Sequence, residues 1–174
     1  MDRELASRLD AAEVILAQLR KAERHRLLAD AEAEFRALFG AFLVVAQSVA
    51  ALAASKRGLN RQSLDQVVGA FGTEVDVTLF RWFREERFQT LRAGVSRLMV
   101  RQRPISLAAY EIRRRIDHPK LWRSRNPLTG SISSTSIDIN VYEVQIGTRR
   151  LGAIAACSNY VGLLRSLLAN IGLE

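Results

Sequence analysis

ALFGAFLVVAQSVAALAA, residues 37–54, runs for 18 residues without a charged side chain. Two structures bury such a run. One is a membrane span, which needs about 20 apolar residues. The other is the central helix of a bundle, apolar nearly all round. Alanine outnumbers leucine here, and Gln47 and Ser48 interrupt the run near its middle, where polar groups are costly in lipid. The stretch therefore reads as a buried bundle helix and the fold as mainly α.

The neighbouring sequence supports a bundle. Leu5, Leu9, Ala12, Leu16 and Leu19 recur at alternating spacings of four and three, the seam of an amphipathic helix. RKAERHR, residues 20–26, breaks that seam, and a second helix follows from Ala29 to Ala54, ended by Lys56, Arg57 and Gly58. Further helices are predicted from Ser63, over DVTLFRWFREERFQTLRAGVSRLM (76–99), and over ISLAAYEIRRRID, where Pro104 stands at a first helical turn. Pro119 should end that last helix. SIDINVYEVQI (136–146) alternates at Ile137, Ile139 and Val141, then shifts phase to Tyr142, Val144 and Ile146. That pattern predicts one or two short strands with a bulge or bend between them. A closing helix spans Ala153 to Ala169. The expected architecture is one domain over residues 1–174: four or more helices with a short β-like insertion at about 132–148.

Composition narrows the function. The formal charge is +8. Residues 81–125 hold 13 Lys/Arg against 4 Asp/Glu, so the other 129 residues are close to neutral. A concentrated basic region suits a polyanion such as nucleic acid, or a solvated arginine-rich helix face. The single cysteine, Cys157, excludes an intrachain disulfide framework and suits a reducing compartment, hence a cytoplasmic protein. No His/Cys pairs stand at metal-ligand spacing and no phosphate-cradling glycine pattern occurs, so neither metal nor cofactor is expected. MDRELASRLDAAE is charged and amphipathic, unlike a signal peptide.

YEIRRRIDHP, residues 110–119, holds one of only two histidines. On a helix, His118 lies four residues from Arg114 and three from Arg115, on a shared face. The group supplies a titratable proton carrier beside fixed positive charge, which phosphoryl chemistry requires. Alone, it reads as a basic helix end capped by a histidine before it reads as an active site. His25, in KAERHRLL, reads as a solvated helix or junction residue.

Three segments together resemble the HEPN superfamily, small helical-bundle domains of many prokaryotic toxins and defence proteins. FRALFGAFLVVAQSV (35–49) is similar to the second-helix pattern of one branch. In RPISLAAYEIRRRIDHP, Arg113 is followed by four residues and His118, matching the R-x4-6-H motif. AACSNYVGLLRSLL (155–168) resembles the closing helix. Two positions depart from the pattern: Arg114 replaces the common motif asparagine, and Gln47 stands where that branch has arginine.

The resemblance implies an up-down HEPN-like bundle acting as a metal-independent endoribonuclease. It would work as a homodimer whose two motifs meet in a basic cleft, with an antitoxin or other protein as partner. His118 would act as general base or acid at the ribose 2′-hydroxyl, and Arg113 would stabilise charge on the attacked phosphate. Arg114, Arg115, Lys120, Arg123, Arg97, Arg101 and Arg103 would hold RNA or another phosphate-bearing ligand. Trp82 and Trp122 are base-stacking platforms or packing residues. Two other classes stay open: a catalytically inert HEPN-like module binding RNA, nucleotide or a protein, and a basic membrane-associated protein with residues 37–54 embedded.

Overall fold

The computed structural model describes residues 2–24, 31–93, 97–106 and 136–173. Among these residues the helices are α1 (Arg3–Arg24), α2 (Ala31–Lys56), α3 (Arg61–Phe71), α4 (Glu74–Ala93) and α5 (Ala153–Asn170). Between α4 and α5 lie three strands, β1 (Met99–Ser106), β2 (Ser136–Ile146) and β3 (Arg149–Gly152), forming one antiparallel sheet in that order.

Helix α1 buries the predicted seam of Leu5, Leu9, Ala12, Leu16 and Leu19, and Ala22 prolongs it. Residues 20–24 therefore continue the helix instead of breaking it. Helix α2 lies at the centre, touching α1, α4 and α5. Phe35, Phe39, Phe42, Leu43, Ala46, Val49, Ala50 and Ala53 on it are all buried. By length and composition α2 could cross a membrane, yet half of its apolar window is inside the fold. Burying each large apolar side chain contributes about 1.5–3 kcal/mol.

Local signals explain where the helices stop. After α2, Leu59 N–H donates to Ala54 O (2.9 Å) and Gly58 N–H to Ser55 O (3.2 Å), with Gly58 at φ +62°. This paired capping pattern needs a left-handed residue, which glycine adopts without strain. Helix α5 ends the same way at Gly172, and Arg57 donates to the Gly172 carbonyl (2.7 Å), tying the two helix ends together. Asn60 caps α3 by accepting from Ser63 N–H (2.8 Å). Thr73 and Asp76 form a reciprocal capping pair at the start of α4.

Three sequence expectations need correction. Residues 104–106 belong to β1, so Pro104 does not open a helix there. A proline is tolerated in β1 because that strand lies at the sheet edge. Helix α4 ends at Ala93, leaving Leu98 and Met99 outside it. Finally, β2 is one unbroken strand, with continuous register from Ser106↔Ser136 to Met99↔Glu143. Its phase change is a change of buried face instead of a bulge. Tyr142, Val144 and Ile146 face the helical core, whereas Ile139, of opposite parity, is buried outside that core. The sheet meets the helices through Phe35 and Tyr142, whose rings stack 3.8 Å apart at 4°. The β-like region is thus larger than the expected 132–148 insertion, since β1 and β3 join it.

Candidate nucleic-acid interface

Two side chains hold the start of β1. Arg36 on α2 donates to the Leu98 carbonyl (3.3 Å), and the Glu86 carboxylate on α4 accepts the Arg97 backbone N–H. Backbone polar groups at a strand start need such partners when they leave water. Glu86 is only 1 % exposed, and burial pushes its carboxyl above the usual glutamate range, opposed by its contacts with Arg97. The Arg97 guanidinium lies 3.9 Å from the second Glu86 oxygen and is otherwise open to solvent.

From there β1 carries Arg101 and Arg103 outward. Strand alternation puts Arg101, Arg103, Ile139, Val141, Glu143, Gln145 and Arg150 on one face, opposite to Tyr142, Val144 and Ile146. On the arginine face Ile139, the partner of Arg103, is buried. Both β1 arginines and Arg150 are exposed. Arg101 shares its charge with Glu143 (3.5 Å), while among the described residues Arg103, Arg149 and Arg150 make no ion pair. Arg149 and Arg150 escaped sequence reasoning. Their signal was Gly147-Thr148, a two-residue hairpin turn with Gly147 at φ +59° and no other positive φ beside it.

The arginines of α4 behave differently. Asp65 on α3 accepts from Arg81 (2.8 Å) and from Arg84 (2.9 and 3.2 Å). Burial raises the Asp65 pKa, but the two guanidinium groups outweigh it and hold the carboxyl below its ordinary value. Asp65 lines an open groove of about 500 Å³ with Arg61, Gln62, Gln66 and Arg81. The α3–α4 surface therefore has its positive charge largely matched. Taken together, the five helices carry 13 Lys/Arg against 11 Asp/Glu, whereas the short strands carry 4 Arg against 2 acids. Among the described elements, the sheet is where basic charge is concentrated relative to its length.

Several singled-out residues have structural roles. Trp82 is buried and meets Phe83 edge-on (5.1 Å), so it is a packing residue and not an exposed stacking platform. Cys157 is fully buried and its thiol is raised well above the usual value, which makes it unreactive. Gln47 is buried, and its side-chain amide donates to the Tyr160 hydroxyl. Burial drives the Tyr160 phenol up, beyond the ordinary tyrosine range, against the weaker pull of Arg84 and Gln47. The bond joins two of the segments that carry the HEPN resemblance, one on α2 and one on α5.

Arg113, Arg114, Arg115, His118, Lys120 and Arg123 lie outside the described residues, as do His25, Trp122 and the helix expected over 107–117. Among the described residues no three His, Cys, Asp or Glu side chains are grouped to hold a metal ion. The topology nonetheless fixes where the motif-bearing segment begins and ends. Ser106 and Ser136 are paired, so residues 107–135 leave and rejoin the sheet at adjacent strand ends. Arg103 lies three residues before that point. Compared with protein-family models, with curated proteins and with solved structures, the chain matches none.

Proposed function

We propose that this chain is an RNA-binding protein of HEPN-like helical-bundle type, and that Arg113 and His118 make it a metal-independent endoribonuclease. One observation carries the reading. Ser106 and Ser136, which flank residues 107–135 with their six basic and two acidic side chains, are paired at the sheet end three residues from Arg103. RNA held on the arginine face of the sheet would lie next to the segment bearing the motif.

The chemistry follows from the residue types. His118 takes the proton of a ribose 2′-hydroxyl as its oxygen attacks the adjacent phosphorus. The new P–O2′ bond forms, the P–O5′ bond breaks, and solvent water supplies the proton that the leaving 5′-oxygen takes up. Arg113 offsets the negative charge that gathers on the non-bridging oxygens. Arg114, Arg115, Lys120 and Arg123, with Arg97, Arg101 and Arg103, hold the backbone. In this reading two copies pair as a homodimer in the cytoplasm, and an antitoxin-like protein partner would restrain them.

A specific observation favours a second reading, an inert module that binds RNA through the same surface. Gln47, at the position where one HEPN branch has arginine, is bonded to Tyr160 in the core and faces no cleft. The first test is an RNA-binding titration of the wild type and His118→Ala. Salt-sensitive binding by both supports an RNA surface whose affinity does not depend on the histidine. No binding by the wild type at any salt concentration would overturn both readings.

A further inference from the structure

We infer that the outward face of the sheet grips the phosphate backbone of a nucleic acid without reading its bases. This rests on the RNA-binding reading above and specifies how one part of that surface works.

Two properties of the face point there. The first is unmatched charge at fixed spacing. Arg101 and Arg103 are two residues apart on one strand, about 7 Å, and Arg150 lies two strands away, about 10 Å across the sheet and about 13 Å along it from Arg101, because Arg101 pairs with Val141 and Arg150 with Gln145. The single acid among their exposed or half-buried neighbours on this face is Glu143, paired with Arg101 alone. The second property is that, among the described residues, no aromatic platform stands on this face. Single-strand readers stack bases on exposed rings. Here Tyr142, the strand ring described, points into the core, and Phe80, Trp82, Phe83 and Tyr160 are buried too. Arginine forks without rings bind phosphate oxygens bidentately and gain nothing from base identity.

Glu143 adds a sign that a merely structural face would not show. Its carboxylate competes with phosphate for the Arg101 guanidinium, and its Oε2 atom has no hydrogen-bond partner. Removing that charge should tighten binding.

The test measures affinity for fluorescent U, A and C homopolymers across a salt series. It compares the wild type with Arg101→Gln/Arg103→Gln/Arg150→Gln, with Glu143→Gln, and with Arg3→Gln/Arg8→Gln/Arg165→Gln. The last removes the same charge from helices. The wild type should bind the three homopolymers within about threefold. The sheet triple variant should lose affinity equally for each, and its log–log salt slope should fall by about 2, from roughly 0.7 per phosphate contact on a single strand. Glu143→Gln should bind about two- to fivefold tighter, and the helix triple variant should keep the wild-type slope. A wild type that binds one homopolymer more than about tenfold better, or a sheet variant with an unchanged slope, would overturn this inference while leaving RNA binding in place. Absence of binding by the wild type would overturn both.

Discussion

The buried pair Gln47–Tyr160 offers a sharp test of the core. Both residues are essentially inaccessible, and the Gln47 amide donates to the phenol oxygen. Phe83 stacks on the Tyr160 ring at 4.2 Å, and Phe80 lies 5.8 Å away, so the ring is packed among other aromatics. Tyr160→Phe keeps the ring and strands the amide N–H, costing about 1–3 kcal/mol. Gln47→Leu removes the donor and strands the hydroxyl, with a similar penalty. The double variant strands neither group and should lie within about 1 kcal/mol of the wild type. For a chain of this size each 1 kcal/mol shifts Tm by about 2–4 °C, so each single change should lower Tm by about 2–12 °C. Urea denaturation followed by circular dichroism, with m-values checked for constancy, measures all four proteins. Additive single penalties, or a double variant less stable than both singles, would refute the satisfied-pair account.

Three other outcomes follow from the same physics. Asp65→Asn should cost about 1–2 kcal/mol at neutral pH, since Arg81 and Arg84 lose their shared carboxylate. Because Asp65 is held below its usual pKa, that contribution is present above the ordinary aspartate range and lost as pH falls through the folded value. Denaturation curves of variant and wild type should therefore differ at neutral pH and converge as the pH falls through the folded Asp65 value. Glu86 has the opposite sign: its pKa is raised, so ionisation above the folded value costs stability, and the favourable contribution is complete only below the unfolded pKa. Glu86→Gln should gain stability relative to the wild type as pH rises, and the reverse trend in calorimetry would contradict its burial as the cause. Gly147→Val places a β-branched residue at φ +59° and should cost at least about 1–2 kcal/mol, whereas Gly147→Asn should be milder in the same melts.

How far the fold was readable depended on whether a pattern is local. The α1 seam and the Gly58 terminator act within one or two turns, and both read correctly from residue spacing. MVRQRPIS did not, because the run Arg101-Gln102-Arg103 hides its alternation and only pairing with β2 makes it a strand. Pro104 suits both a helix start and an edge strand, and tertiary context chose the latter. In β2 the change of apolar phase was visible, but its cause, burial on two different faces, is not local information. For the candidate site, Arg97, Arg101 and Arg103 were found by charge, while Arg149 and Arg150 needed the hairpin to bring them to the same sheet. Arg81 and Arg84 had counted towards the same basic stretch, and the neutralising Asp65 comes from another helix.

The most direct test of the proposed function is incubation of a mixed RNA pool in EDTA with the wild type and with His118→Ala, followed by analysis of the product ends. Cleavage by the wild type alone, leaving 2′,3′-cyclic phosphate and 5′-hydroxyl ends, is the predicted result and assigns the proton transfer to His118. RNA that is bound but left intact by both proteins would contradict the ribonuclease and leave the inert binding module.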